Sequence, residues 1–340
     1  MNLSNSSNQV PVERQKVLGL RLTLGLLLGG GALWLATRGV DWSQLWTALR
    51  SIELRWLWIA LGCVFFNLVV LTVRWRLLFY PEHDDRGWVN LFRGIVVGQA
   101  LNVVVPGRIG EFTRAYSTGA SEGISKARVF GTIIVEKVMD MAALMAAILV
   151  FWKTIMPPGW AVGAGYALIC FTSIATAVLL FMALRGETTL RWIGRFSALL
   201  PRRLGELLMK YGQMIMTGFS AIRYCWIQVI LWGLSFLLLL LSVLTNYFLF
   251  KAFGLSLSLS VALFLLVVLQ VGTAPPSLPG KLGVFHYLTV LSLSAFQVDR
   301  NIALAYSAVL YCVAILSKIL IASVFIFPER VEKKCGGCNV

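Results

Sequence analysis

Arg108, Glu111 and Arg114 stand at three-residue spacing inside VVVPGRIGEFTRAY, residues 103–116. On a helix, residues three apart share a face, so two guanidiniums and a carboxylate would line one side about a turn apart. Further along, Glu136, Lys137 and Asp140 interrupt the otherwise apolar run VFGTIIVEKVMDMAAL. Glu136 and Asp140 are four apart and share a face, and Lys137 can neutralise one of them. A charge at the centre of a membrane helix costs roughly 2.5–3.5 kcal/mol on insertion scales, so such groups face a cavity or a partner. Two chemistries stand open. Arg108 or Arg114 can salt-bridge to Glu136 or Asp140 and hold one segment on another. Alternatively, the group lines a cavity in which a planar guanidinium takes a phosphate bidentately. The two are compatible, because an arginine held by a carboxylate can exchange it for a phosphate.

The segments that must position these groups carry a second signal. The stretch is free of charge from Gly94 until Pro106-Gly107 precedes Arg108, so an apolar helix must break where the charges begin. Asn102, one turn earlier, can satisfy a backbone group freed by that break. SLPGKLGVFHYL, residues 277–288, repeats the pattern apolar-Pro-Gly-basic-apolar-Gly-x-Phe at an offset of 173, about half the chain. Here Pro279, Gly280 and Gly283 answer Pro106, Gly107 and Gly110, and Lys281, His286 and Tyr287 answer Arg108, Thr113 and Arg114. The second copy is polar but has no carboxylates. Broken hydrophobic segments at matching places in two halves point to the binding site of a transporter built from internal repeats.

Of the 340 residues, 58% are hydrophobic and 13% charged, against roughly 25% charged in a soluble domain. The fold class expected is an all-α polytopic membrane protein. Apolar runs near 17–37, 56–79, 129–152, 161–184, 226–250 and 302–327 meet the length of about 20 residues that a spanning helix needs, the last if Lys318 is tolerated. Two shorter runs, 88–105 and 258–273, end at the Pro-Gly motifs. Basic residues gather cytoplasmically, and they crowd 185–225, the C-terminal tail and the N-terminus with Arg14 and Lys16. All three regions fall inside if the short runs are re-entrant hairpins. Six spanning helices and two hairpins then form an inverted repeat, with halves at about 17–152 and 161–327. Residues 1–16 and 329–340 are expected as cytoplasmic tails of a single membrane domain, 17–328. The segment 185–225 alternates apolar and basic residues and suits amphipathic or connector helices on the inner surface.

The net charge of +15 sits in loops between apolar runs, which points to membrane orientation and anionic lipid and away from nucleic acid. Cys335 and Cys338 alone cannot close a tetrahedral metal site, and His83-Asp84-Asp85 reads as a solvated loop. No P-loop, nucleophile elbow, HExxH or dinucleotide fingerprint is present, and no cofactor or metal is expected.

N-x3-P-G-R-x-G-E-x-x-R-A-Y from Asn102 to Tyr116, V-E-K-x-x-D from Val135 to Asp140, and P-G-x-x-G-V-F-H from Pro279 to His286 together resemble the flippase-like transmembrane region of lysylphosphatidylglycerol synthases. The resemblance implies an inner-membrane protein that moves or presents a lipid, with both termini cytoplasmic. Synthases of that type carry a soluble aminoacyl-transferase domain after the membrane region, and that activity is expected to be missing here. The leading expectation is a flippase or transporter for an anionic phospholipid or a polyprenyl-phosphate-linked lipid, its headgroup met by Arg108, Arg114, Lys281, His286 and Tyr287. The alternatives are a membrane-embedded transferase using Glu111, Glu136 or Asp140 as base on a lipid-linked donor, and a non-transporting partner of a separate lipid-modifying enzyme.

Overall fold

The computed structural model describes residues 29–81, 87–105, 109–155, 185–198, 202–218, 224–273 and 281–325, with scattered positions between 159 and 181 and at 221. The Pro106, Gly107, Arg108, Pro279 and Gly280 of the two motifs lie outside these residues. So do most of the runs 17–37 and 161–184, both tails, and the His83-Asp84-Asp85 loop.

Among the described residues the secondary structure is all helical. Segment 29–37 forms α1, followed by α2 (Trp42–Arg50), α3 (Leu54–Leu77), α4 (Trp88–Val104), α5 (Gly110–Ser121) and α6 (Lys126–Ile155). Then come α7 (Gly186–Ala198), α8 (Arg202–Thr217), α9 (Cys225–Ala252), α10 (Leu259–Gly272), α11 (Val284–Ser294) and α12 (Arg300–Phe325), which contains a π turn at Cys312–Leu316. Three of these, α3, α9 and α12, are long and apolar enough to cross a membrane. At 1.5 Å per residue even the 24 residues of α3 exceed the roughly 30 Å hydrocarbon core. The 30-residue α6 has the length but carries Glu136, Lys137 and Asp140 at its middle. The short apolar helices α4 and α10 end just before their Pro-Gly pairs, and α5 and α11 begin just after, as the breaks in the pattern require.

The sequence long helix, short apolar helix, short helix, long helix occurs twice, as α3–α6 and as α9–α12. The corresponding helix starts lie 171, 171, 174 and 174 residues apart. The first members of the two sets form the central pair. In α3 Ala60, Val64, Leu68, Leu71 and Trp75 are buried, and in α9 Ile227, Leu231, Leu238, Leu241 and Leu249 are. Their steps of three or four, or of seven or eight where a turn is skipped, make a seam along each helix, and the seams face each other. The pair is antiparallel. Glu53 donates its backbone N–H to the Ala252 carbonyl at 3.0 Å, Trp56 stacks on Phe248, Asn67 Nδ2 donates to the Leu238 carbonyl, and Tyr80 meets Tyr224. Outward residues such as Trp58, Phe65, Val229 and Leu320 are exposed and apolar, as a lipid-facing surface demands.

Ends of the described chain are tied across this pair. Asp41 caps α2 through Ser43 N–H, Asp299 caps α12 through Asn301 N–H, and Asn301 Oδ1 accepts the Asp41 N–H at 2.9 Å. Hydrogen bonds from the Ser43 hydroxyl and backbone hold the Asp41 carboxyl below its usual value. Arg300 donates to the Leu35 carbonyl. Gly283, at φ +84°, starts α11 directly against α1, where a Cβ would meet the Gly29 carbonyl. Segment 185–225 yields the helices α7 and α8, which pack on each other, with α8 also against α6.

Candidate functional site

The first motif folds around an α4–α5 crossing so close that a Cβ on Gly110 would lie 1.9 Å from the Gly98 carbonyl oxygen. Only glycine fits there. Val105 ends α4 in an extended conformation, and Asn102 bridges the break. Its Oδ1 accepts the Gly110 N–H at 2.8 Å, satisfying a free amide at the start of α5, and its Nδ2 donates to Glu111 Oε1 at 3.1 Å. Asn102 is therefore the structural cap that its position one turn before Pro106 implied.

The α5 face then delivers Arg114 to α6. Arg114 makes a bidentate pair with Glu136, Nη1 to Oε1 at 3.0 Å and Nη2 to Oε2 at 2.7 Å, with the two side chains 3% and 1% exposed. Its guanidinium lies 3.6 Å from the Trp75 ring centroid, and Trp75 is itself fixed by Nε1–H to Thr132 Oγ1 at 3.1 Å. Lys137 Nζ stands 3.3 Å from both Glu136 Oε1 and Glu111 Oε1. Asp140 binds a residue that the sequence motifs did not single out, Arg74, at 2.5 Å. Arg74 is fully buried in α3 and also donates to Ser235 Oγ of α9 at 2.9 Å, so one arginine joins α3, α6 and α9. In sequence Arg74 passes for a basic residue at the inner end of a span. The signal that could have found it is its place on the seam one residue before Trp75. Arg74, Arg114 and Lys137 thus meet Glu111, Glu136 and Asp140, and the network is neutral.

The second motif is arranged differently. A cavity of about 260 Å³ lies between α3, α9, α10, the start of α11 and α12, lined by Asn67, Asn246, Gln270, Thr273, Lys281 and Lys318 among apolar residues. Lys281 holds a left-handed backbone, φ +59°, uncommon for a residue with a Cβ, and donates from Nζ to Thr273 Oγ1 at 3.1 Å. His286 and Tyr287 stand apart from this lining. The His286 ring bonds Ser307 Oγ through Nδ1 at 2.9 Å and packs against Tyr311, while Tyr287 packs on the core around Phe264 and Tyr306. Lys318 shares the lining of this cavity with Lys281. Val103, at the end of α4, packs on that same second-half core. Among the described residues no group of three His, Cys, Asp or Glu converges as a metal site would.

The profile of the lysylphosphatidylglycerol synthase TM region matches residues 22–321. A UPF0104 membrane protein of Methanothermobacter thermautotrophicus is 24% identical over 288 residues, covering 79% of this chain and 85% of its own length. A UPF0104 membrane protein of Methanocaldococcus jannaschii is 22% identical over 287 residues, covering 79% and 83%.

Proposed function

The chain belongs to the lysylphosphatidylglycerol synthase TM-region family, and from that premise we propose that it translocates an anionic lipid, a phospholipid or a polyprenyl-phosphate-linked lipid, across the cytoplasmic membrane. The observation that carries the reading is the relation of α3 to α9. They are the first members of two matching helix sets, yet they run antiparallel. Equivalent elements with opposite directions are what an inverted repeat produces, and in such repeats the substrate sits at the bilayer midplane where helices are broken. The broken segments here are α4–α5 and α10–α11, entering as hairpins from opposite faces. In this reading Arg108 and Arg114 meet the headgroup from one side and Lys281 from the other, while His286 and Tyr287 stand back from the cavity against Ser307 and the core. Arg114 meets the headgroup by exchanging Glu136 for phosphate.

A transferase would need a carboxylate free to act as base. Glu111, Glu136 and Asp140 are each ion-paired, which favours transport over group transfer. The membrane domain spans 17–328, with both tails and the basic segment 185–225 on the cytoplasmic side.

The experiment is translocation in proteoliposomes. Headgroup-labelled phosphatidylglycerol and phosphatidylcholine are placed in the inner leaflet, and a membrane-impermeant quencher is added outside. Loss of the phosphatidylglycerol signal only in vesicles holding the protein, and faster than for phosphatidylcholine, is expected. Equal signals in empty and loaded vesicles would end the transport reading.

A further inference from the structure

We infer that the cavity between α3, α9, α10 and α12 is a phosphate-binding site in which Lys318 is the principal ligand, supported by Lys281 and Gln270. This deepens the proposed function and rests on its reading of the lipid as anionic, but it concerns binding and not movement.

Lys318 lies in α12, seven residues or about 10 Å along the helix from Phe325, within the span. Every cation of the first network has a carboxylate. Lys318 makes no hydrogen bond or ion pair with any described residue, and it lines the cavity together with Lys281. Among the described residues no carboxylate lines the cavity. An ammonium group at membrane depth loses hydration, and with no described partner on Lys318 an anion in the cavity removes that cost. Lysine binds phosphate as a point charge with three donors. Gln270 adds an amide that no described residue occupies, whereas the Asn67 and Asn246 amides each already donate to a carbonyl, of Leu238 and Ser242.

Two backbone irregularities sit at this cavity. The left-handed turn at Lys281 aims that side chain toward Thr273 and the cavity. The π turn at Cys312–Leu316 ends two residues before Lys318, and Ala314 and Ile315 within it line the cavity. Departures of both kinds persist where function repays them. The cavity's 260 Å³ falls just under the roughly 300–1,000 Å³ of sites that enclose a whole small molecule. It suits a headgroup phosphate, with acyl chains left in the bilayer.

The test uses the whole chain in nanodiscs of phosphatidylcholine with a minor share of phosphatidylglycerol, and counts retained lipid by native mass spectrometry. Wild type is expected to retain phosphatidylglycerol selectively, Lys318→Gln to retain about tenfold less, and Lys318→Arg to keep it. In a second arm, inorganic phosphate is added to protein in neutral detergent. A rise in unfolding midpoint in wild type and not in Lys318→Gln identifies the phosphate alone as sufficient. A rise in neither, with lipid retention still dependent on Lys318, assigns the site to the lipid. Equal retention by wild type and Lys318→Gln overturns the inference, even if translocation is intact. Retention that depends on Lys318 without translocation upholds the inference and ends the transport reading instead.

Discussion

The two Pro-Gly hairpins share a backbone plan and differ in how their charges are closed. Around α4–α5 these described groups are partnered within the protein: Asn102 holds the Gly110 amide and Glu111, Arg114 holds Glu136, and Lys137 is shared between Glu111 and Glu136. Around α10–α11 the cations Lys281 and Lys318 line a cavity in which no described residue is a carboxylate. In low dielectric a closed ion-pair network resists the loss of any member, while an unclosed cationic cavity favours an anionic guest. A similar helix order thus carries different chemistry, with ion pairs beside α4–α5 and two lysines on the cavity beside α10–α11.

Removing Glu136 should separate the two most sharply. Glu136→Ala leaves the Arg114 guanidinium buried without its bidentate partner, a loss of about 3–5 kcal/mol, read as a large drop in unfolding midpoint in detergent. A small drop would mean that the first hairpin is not closed. Asn102→Ala removes the acceptor for the Gly110 amide and should cost about 1–3 kcal/mol, seen as faster hydrogen exchange at the start of α5. Charge removal in the second hairpin should act differently. Lys318→Gln, measured without anionic lipid, should stay within about 1 kcal/mol of wild type on the stabilising side, because it removes a dehydrated charge and breaks no pair with a described residue. A drop comparable with that of Glu136→Ala would erase the distinction between the hairpins.

The smallest effect belongs to Asp41, outside both hairpins, and serves as a control. Its folded carboxyl lies below the ordinary value of 3.8, so its contribution to stability is present above that value and is lost as pH falls through the lower folded one. Asp41→Asn should therefore flatten the pH dependence of the midpoint in that acidic window and leave the neutral region unchanged.

Much of this arrangement was legible in the sequence, because membrane helices announce themselves by length and apolarity. The runs 56–79, 226–250 and 302–327 correspond to α3, α9 and α12, and 88–105 and 258–273 to α4 and α10, with ends shifted by a few residues. Spacing left Arg108 or Arg114 to pair with Glu136 or Asp140, and the structure joins Arg114 to Glu136. Partnership across distant segments was not legible. Asp140 pairs with Arg74, a contact between α6 and α3 that no local spacing encodes. Lys318 was visible as a blemish in an apolar run, but its meaning depends on the absence of a carboxylate among the described residues around it, which only the packing of α3, α9, α10 and α12 determines. The sequence also placed His286 and Tyr287 level with Lys281, whereas the turn into α11 sends them to Ser307 and to the core.

Transport at a shared midplane site, as proposed, requires the two hairpins to meet at the middle of the membrane. A crosslink between Gly107→Cys and Gly280→Cys, in a background lacking the six native cysteines, tests this. Rapid reaction with a short bifunctional reagent in intact membranes is expected, slowed by added phosphatidylglycerol as headgroups occupy the space between. Failure to crosslink, with each cysteine labelled by impermeant reagent from a different side as expected for positions beyond about 20 Å apart, would contradict it.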